Sequence, residues 1–306
     1  MAGLRFRTLS TAVAVAIGLS ACASDGRVHV GAQPEVPQAT PTNAPQSTPS
    51  SRTGNDLMPL LTLQDEDAQF LSWFYARYNL VLPKCFAAHG KTVKLPDPGA
   101  VSLPSKGLGR YGGPHVDSDG VARYSGSKDA TSSVDAPTLT PAELAILDDG
   151  TIQAQRDASI PGGRSVGSMR IGRGCYADTL VEVFGSLDNF LDYWESGRIV
   201  EALSNGTASE VWQSPDAGRA SAEWSACMGK NGHKLKEPSE APAKSFKDWR
   251  EEERAAKDDN DCRKSTDLER RLATAESSLQ SKAAQKHAGV MSRLRSAIAS
   301  TLARNP

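Results

Sequence analysis

The sequence predicts a mainly α fold: a disulfide-braced helical body with long irregular loops, set after a disordered N-terminal tether. Three observations predict it. A cysteine-bearing helical segment that ends at glycine occurs twice, at Cys85 and at Cys227. Apolar residues near the C-terminus recur at three- and four-residue steps, the spacing of one helix face, while no alternating strand pattern persists for more than a few residues. Residues 23–55 are rich in Pro, Ser, Thr and Gln with scarcely any large apolar side chain, so they cannot bury enough surface to offset the entropy of ordering.

In chain order, the first element is a removable one. Arg5 and Arg7 precede an apolar run from Leu9 to Leu19, which has the length of a signal-peptide core and is too short to span a bilayer. The next residues, Leu19-Ser20-Ala21-Cys22, resemble the lipobox of bacterial lipoproteins: a branched apolar residue, two small ones, then the cysteine that is diacylglycerated. The resemblance implies that residues 1–21 are a lipoprotein signal peptide, that Cys22 carries the lipid, and that the protein stands at the extracytoplasmic face of the cell membrane. The competing reading is an ordinary secretory signal with a chance cysteine. Each buried methylene of an acyl chain adds ~0.8 kcal/mol, so two or three chains make a permanent anchor.

Residues 22–55 then form the lipidated cysteine and its tether, which as a coil would hold the body roughly 30 Å from the lipid. From Cys22 onward there are 33 Lys+Arg (35 less Arg5 and Arg7) against 36 Asp+Glu, a net charge of −3. That balance removes the electrostatic case for nucleic acid. No later stretch of 18 or more apolar residues exists, so no membrane span is expected after the signal.

The body divides into residues 56–205 and 206–306, because the cysteine segments read as an internal repeat. Both run Cys, apolar, two variable, His or Asn, Gly, two variable, apolar, Lys, variable, Pro: Cys85 to Pro96 and Cys227 to Pro238. The glycine suits the left-handed position after a helix, and the proline keeps the residues beside it extended. Each half holds a second cysteine, read as the start of another helix: Cys175 before Leu180, Val181, Val183 and Phe184, and Cys262 before Leu268 and Leu272. Four cysteines allow three pairings, and the repeat argues for Cys85 with Cys175 and Cys227 with Cys262. Closing loops of about 90 and 35 residues would contribute roughly 4 to 5 and 3 to 4 kcal/mol. A zinc site made of all four thiolates is the alternative, although no two cysteines have the close spacing such a site shows.

At these residues the chain resembles actinobacterial cell-envelope lipoproteins, mostly of unassigned function, built on a Cys-Met-x-x-x-Gly helix and a later Asp-x-x-Cys. The matching pieces are Trp224-Ser225-Ala226-Cys227-Met228 and Asp259-Asn260-Asp261-Cys262-Arg263, with a Tyr-Gly segment running from Arg110-Tyr111-Gly112 to Val121 through Gly126. The chain departs from that pattern at Phe86, where Met is usual, and at Pro83, which should kink or interrupt the first helix just before Cys85. The resemblance implies location and disulfides and carries over no catalytic residue.

Other elements are local. Residues 96–137 read as a loop region, and Thr140-Pro141-Ala142-Glu143 as the capped start of a short helix through Leu147. Helices also fit Leu180 to Phe184, Leu187 to Trp194 and Asp216 to Met228. At the end, the stripe from Leu268 to Leu302 predicts a long amphipathic helix with a break near Gly289. Its basic residues Lys282, Lys286, Arg293, Arg295 and Arg304 read as a solvated face, or as a contact for anionic lipid or wall polymer.

Three fragments imitate functional motifs out of context. Gly107 to Gly112 matches G-x-G-x-x-G without a preceding strand. Gly163-Arg164-Ser165-Val166-Gly167 matches a nucleophile elbow, but Pro161 and Gly162 stand where a buried strand is required. Asp117-Ser118-Asp119-Gly120 begins like a calcium loop, yet Lys128 occupies the twelfth place; a weak site of Asp117, Asp119 and His115 is the residual reading. The histidines His29, His89, His115, His233 and His287 are scattered, and His89 beside a helix end reads as a cap. Trp73, Phe74, Tyr78, Trp194, Trp212 and Trp224 read as core or as the lining of a pocket. The expectation is therefore a membrane-anchored, non-enzymatic binding or interaction module without cofactor, its partner an anionic envelope polymer or a protein. An envelope hydrolase acting on cell-wall or lipid material is the alternative.

Overall fold

The structure, a computed structural model, describes residues 58–93, 95, 110–116, 120–124 and 139–305. The signal segment, Cys22, the tether and the calcium-like Asp117 and Asp119 lie outside the described residues.

The body is mainly helical and braced by two disulfides, Cys85–Cys175 and Cys227–Cys262. Helix α1 (Pro59–Ala88) opens on a proline, which loses nothing at a first helical position. It runs through Pro83 rather than stopping there. A proline inside a helix deletes one backbone bond, and burial of Val81, Leu82 and Phe86 around it offsets that loss. Two short strands, β1 (His115–Val116) and β2 (Ala122–Arg123), pair antiparallel. Helix α2 (Pro141–Leu147) has the reciprocal cap its sequence announces: Glu143 N–H donates to the Thr140 hydroxyl, and Thr140 N–H donates to the Glu143 carboxylate at 2.7 Å.

Next comes an antiparallel hairpin of eight-residue strands, β3 (Ile152–Ser159) and β4 (Ser165–Gly172), which the sequence reading does not foresee. The reason is chemical. The less exposed face of β3 is Ala154, Arg156 and Ala158, too small or too polar to register as apolar alternation. Arg156 instead reaches helix α4 (Leu187–Glu210), donating to Asp192 at 2.8 Å and Glu195 at 2.9 Å.

Helix α3 (Cys175–Phe184) precedes α4, which a 3₁₀ turn at Val211–Gln213 ends. Then come α5 (Pro215–Lys230), a single turn α6 (Glu240–Ala243), α7 (Trp249–Ser265), α8 (Leu268–Lys286) and α9 (Ala288–Arg304). The expected break in the terminal helix falls at His287, between α8 and α9. Cys262 sits in the last turn of α7 and not at a helix start, because Asp248 caps a helix that already begins at Trp249.

Two large apolar clusters hold these elements. The first joins α1, the hairpin, α3, α4 and α9, with Phe70, Phe74, Phe184, Phe190, Tyr193 and Trp194 among its buried members. Val290, Met291, Leu294 and Ala297 of α9 pack in this cluster, so it draws on both ends of the described chain. The second joins the Tyr111 and Tyr124 segments to α5, α7 and α8 around Trp224 and Met228. A small third cluster of Leu82, Phe86, Val93 and Cys175 surrounds the first disulfide.

Candidate functional site

The two cysteine repeats end their helices in the same way. Gly90 and Gly232 take φ of 68° and 87°, the left-handed region. Lys91 N–H donates to Phe86 O at 3.0 Å and Gly90 N–H to Ala87 O at 2.9 Å; His233 and Gly232 do the same to Met228 and Gly229, at 2.9 and 3.1 Å. This double bond pattern satisfies the last carbonyls of each helix. Each helix then hands its cysteine to a partner at a Cα separation of 5.6 Å (Cys85–Cys175) or 5.7 Å (Cys227–Cys262), the ordinary range.

The surroundings of the two disulfides differ. Beside the first stand His89, four residues after Cys85, and Asp178, three after Cys175, whose Oδ2 lies 4.0 Å from Cys85 Sγ. Beside the second, the equivalent positions are Asn231, which donates to Cys262 Sγ at 3.5 Å, and Ser265, whose hydroxyl is 3.8 Å from Cys227 Sγ.

Tyr111, Tyr124, Trp224, Asp259 and Arg263 meet in one buried network. Asp259 is fully buried and accepts from Trp224 Nε1 at 2.7 Å, Tyr124 OH at 2.9 Å and Arg263 Nε at 2.8 Å. Arg263 Nη1 donates on to Tyr111 O at 3.2 Å, and Tyr111 OH donates to Glu276 at 2.8 Å. Glu276 also accepts from Arg110 Nε, Thr207 Oγ1 and Gln280 Nε2, each at 2.8 Å. Burial pushes the Glu276 carboxyl up, but these four donors outweigh it and hold it at about 2. The network fixes structure: every partner belongs to the fold, and it joins the Tyr-Gly segment to α4, α5, α7 and α8. Arg110, Tyr111 and Gly112 are thus the described end of the G-x-G-x-x-G string, and the first two serve this network.

Sequence reasoning missed Glu276 and Gln280, although a signal exists. They continue the four-residue ladder of Leu268 and Leu272, all four fully buried, so a carboxylate and an amide stand where the phase demands apolar residues.

An open polar depression of about 520 Å³ lies along α4, lined by Arg164, Asn205, Gly206, Ser209, Glu210 and Gln213. Asn205 and Ser209 are four residues apart on one face of α4, which Glu201 extends by a turn, and Gln213 follows in the 3₁₀ turn. Arg164 comes from the β3–β4 turn, where Gly162 and Gly163 both have positive φ. Ser165, the imitation nucleophile, is the first residue of β4 and pairs with Ser159.

Near Glu201, Asp67 of α1 accepts a 2.7 Å hydrogen bond from Tyr193 OH. Burial pushes its carboxyl up, the tyrosine bond opposes, and the Glu201 charge adds, leaving it at about 6. The six aromatic side chains proposed as a pocket lining are not brought together: Trp73, Phe74, Tyr78 and Trp194 join the first cluster, Trp212 and Trp224 the second. Of the terminal basic residues, Arg295 is paired with Glu66 at 3.0 and 3.2 Å. Compared with known proteins, the chain matches no family model, no curated protein and no solved structure.

Proposed function

We propose that the chain is exported, held at the extracytoplasmic face of the cell membrane by a lipid on Cys22, and works there as a non-enzymatic module that binds a hydroxyl-rich envelope polymer. Cysteine use supports the location. Of five cysteines, four are consumed in two disulfides, a use of cysteine that belongs to an oxidising compartment. The fifth is Cys22, in the lipobox-like string, and the resemblance to actinobacterial envelope lipoproteins points the same way. Replacing Cys22 by alanine should release the protein from the membrane fraction; retention of Cys22→Ala there rejects the anchor.

The binding reading rests on one observation, the polar ladder of α4 facing Arg164. Its amides, hydroxyl, single guanidinium and the Glu210 carboxylate offer closely spaced donors and acceptors, which suits a hydroxyl-rich glycan. Co-sedimentation of the mature protein with purified envelope polymer tests it. Arg164→Ala combined with Asn205→Ala should abolish co-sedimentation while leaving the far-UV spectrum unchanged. Undiminished binding by a folded double variant rejects the site.

A second reading, hydrolysis of the same material, is favoured by Asp67 alone, a half-buried carboxyl at about 6 with Glu201 as its neighbouring charge. It requires that Asp67→Asn abolish a measured release of sugar fragments; no release by the wild-type protein excludes it.

A further inference from the structure

We infer that the first disulfide is the closed form of a zinc site, opened when Cys85 and Cys175 are reduced. Three of the four donors already stand together, with the fourth beside one of them. One nitrogen of His89 and the two sulfurs lie within 4.8 Å of one another, and Asp178 Oδ2 is 4.0 Å from Cys85 Sγ. A tetrahedral zinc ion, with Zn–S of about 2.3 Å and Zn–N of about 2.0 Å, has donor-to-donor edges of roughly 3.5 to 3.8 Å. Two thiolates, an imidazole and a carboxylate are all ordinary zinc ligands.

Helix geometry supplies the set. Cys85 and His89 lie one turn apart at the end of α1, and Cys175 and Asp178 share the first turn of α3. Cys175 is buried and Cys85 half-buried, while His89 is exposed and can swing its ring over the sulfurs. The second disulfide is a control within the same chain. Its equivalent positions hold Asn231 and Ser265, whose amide and hydroxyl are poor zinc donors beside imidazole and carboxylate.

The chemistry balances with an external dithiol. As the Cys85–Cys175 bond breaks it takes up two electrons and two protons, and the dithiol becomes a disulfide. Zinc then displaces both thiol protons to solvent. The metal would keep α1 and α3 joined after the covalent link is lost. The site thus belongs to the chain that arrives reduced or meets a reductant.

The test uses the mature chain carrying Cys22→Ala, so that the only thiols are the four of the body. After reduction by a phosphine and removal of the reductant without oxygen, Co²⁺ is titrated in as an optical probe and then displaced by Zn²⁺. The expected result is one tightly bound ion per chain, with a thiolate charge-transfer band and tetrahedral d–d bands. Cys85→Ser should lose that band, and Cys227→Ser should keep it. His89→Asn, which copies the second repeat and leaves an exposed position, should weaken binding at least as much as the roughly 10- to 100-fold that outer partners of a metal site cost.

Circular dichroism on the same samples separates a site from loose capture by unfolded chain. If the reduced protein loses its helices and binds nothing, the inference is wrong. It is equally wrong if all variants bind alike, if His89→Asn binds as tightly as its parent, or if the ion tracks Cys227 instead of Cys85.

Discussion

The two large clusters of this protein are closed by different physics. In the first, rings pack on rings: Phe184 meets Phe70, Phe74, Phe190 and Tyr193 at centroid distances of 6.0, 5.5, 5.1 and 5.5 Å. In the second, six of the buried residues are alanines, and the helices close on the Asp259–Arg263 pair and its tyrosine and tryptophan donors. Apolar area is non-directional and tolerates repacking, whereas a buried ion pair is held only while every partner remains. The first cluster should therefore forgive shape changes that the second would not.

Substitutions that keep size should expose this difference most sharply. Asp259→Asn preserves volume but leaves the Arg263 guanidinium, itself 4 % exposed, without its buried counter-ion. Such a loss costs about 3 to 5 kcal/mol, and the half-exposed Glu269, 3.4 Å from Arg263, can recover only part of it. Leu180→Met in the first cluster should cost less than about 1.5 kcal/mol. Denaturant midpoints of the two variants decide the matter. Equal losses would show that the two regions are held alike.

The regions also differ in the sign of their pH dependence. Asp67, at the edge of the first cluster, is raised to about 6, so its contribution is whole below its ordinary value near 4 and fades as pH rises through 6. Glu276, at the seam with the second cluster, is held at about 2, so its contribution is whole above its ordinary value and fades as pH falls toward 2. Asp67→Asn keeps an acceptor for Tyr193 and removes the half-buried charge. It should stabilise the protein at pH 7 by up to roughly 3 kcal/mol, the cost of ionising a carboxyl whose folded value lies that far above its unfolded one, and leave stability at pH 4 nearly unchanged. A destabilised variant at pH 7 would mean that Asp67 is held in its charged form by partners stronger than Tyr193.

Legibility in the sequence depends on the range of the interactions. Both disulfides could be read because the repeat encodes a local event, a helix ending at Gly90 or Gly232, and the cap of α2 because Thr140 and Glu143 are three residues apart. The Asp259 network joins residues 35 and 135 positions apart, and Tyr111 reaches Glu276 across 165, so one chain without spatial information offers only the misplaced polarity of Glu276 and Gln280 as a clue. The hairpin was hidden because Arg156 is satisfied by carboxylates of α4 and not by an apolar partner. The polar depression was hidden too, since its Arg164 and Asn205 come from separate elements.

The finest test of the comparison is Tyr193→Phe, the smallest of the expected effects. The ring stays in the aromatic cluster, 4.9 Å from Phe70, so apolar closure is untouched. Only the hydrogen bond to Asp67 is lost, and that bond is the one influence lowering the Asp67 carboxyl against burial and Glu201. Asp67 should consequently titrate above about 6, a rise visible by carboxyl ¹³C chemical shift. The stability cost should be about 1 kcal/mol at pH 7, where the bond is charge-assisted, and less at pH 4, where both groups are neutral. The pH slope of the first region would then steepen while that of Glu276 stays fixed, because no partner of Glu276 has changed. A titration that fails to move, or moves down, would show that Asp67 is governed by solvent and not by the cluster beneath it, and the opposition in sign between the two regions would lose its basis.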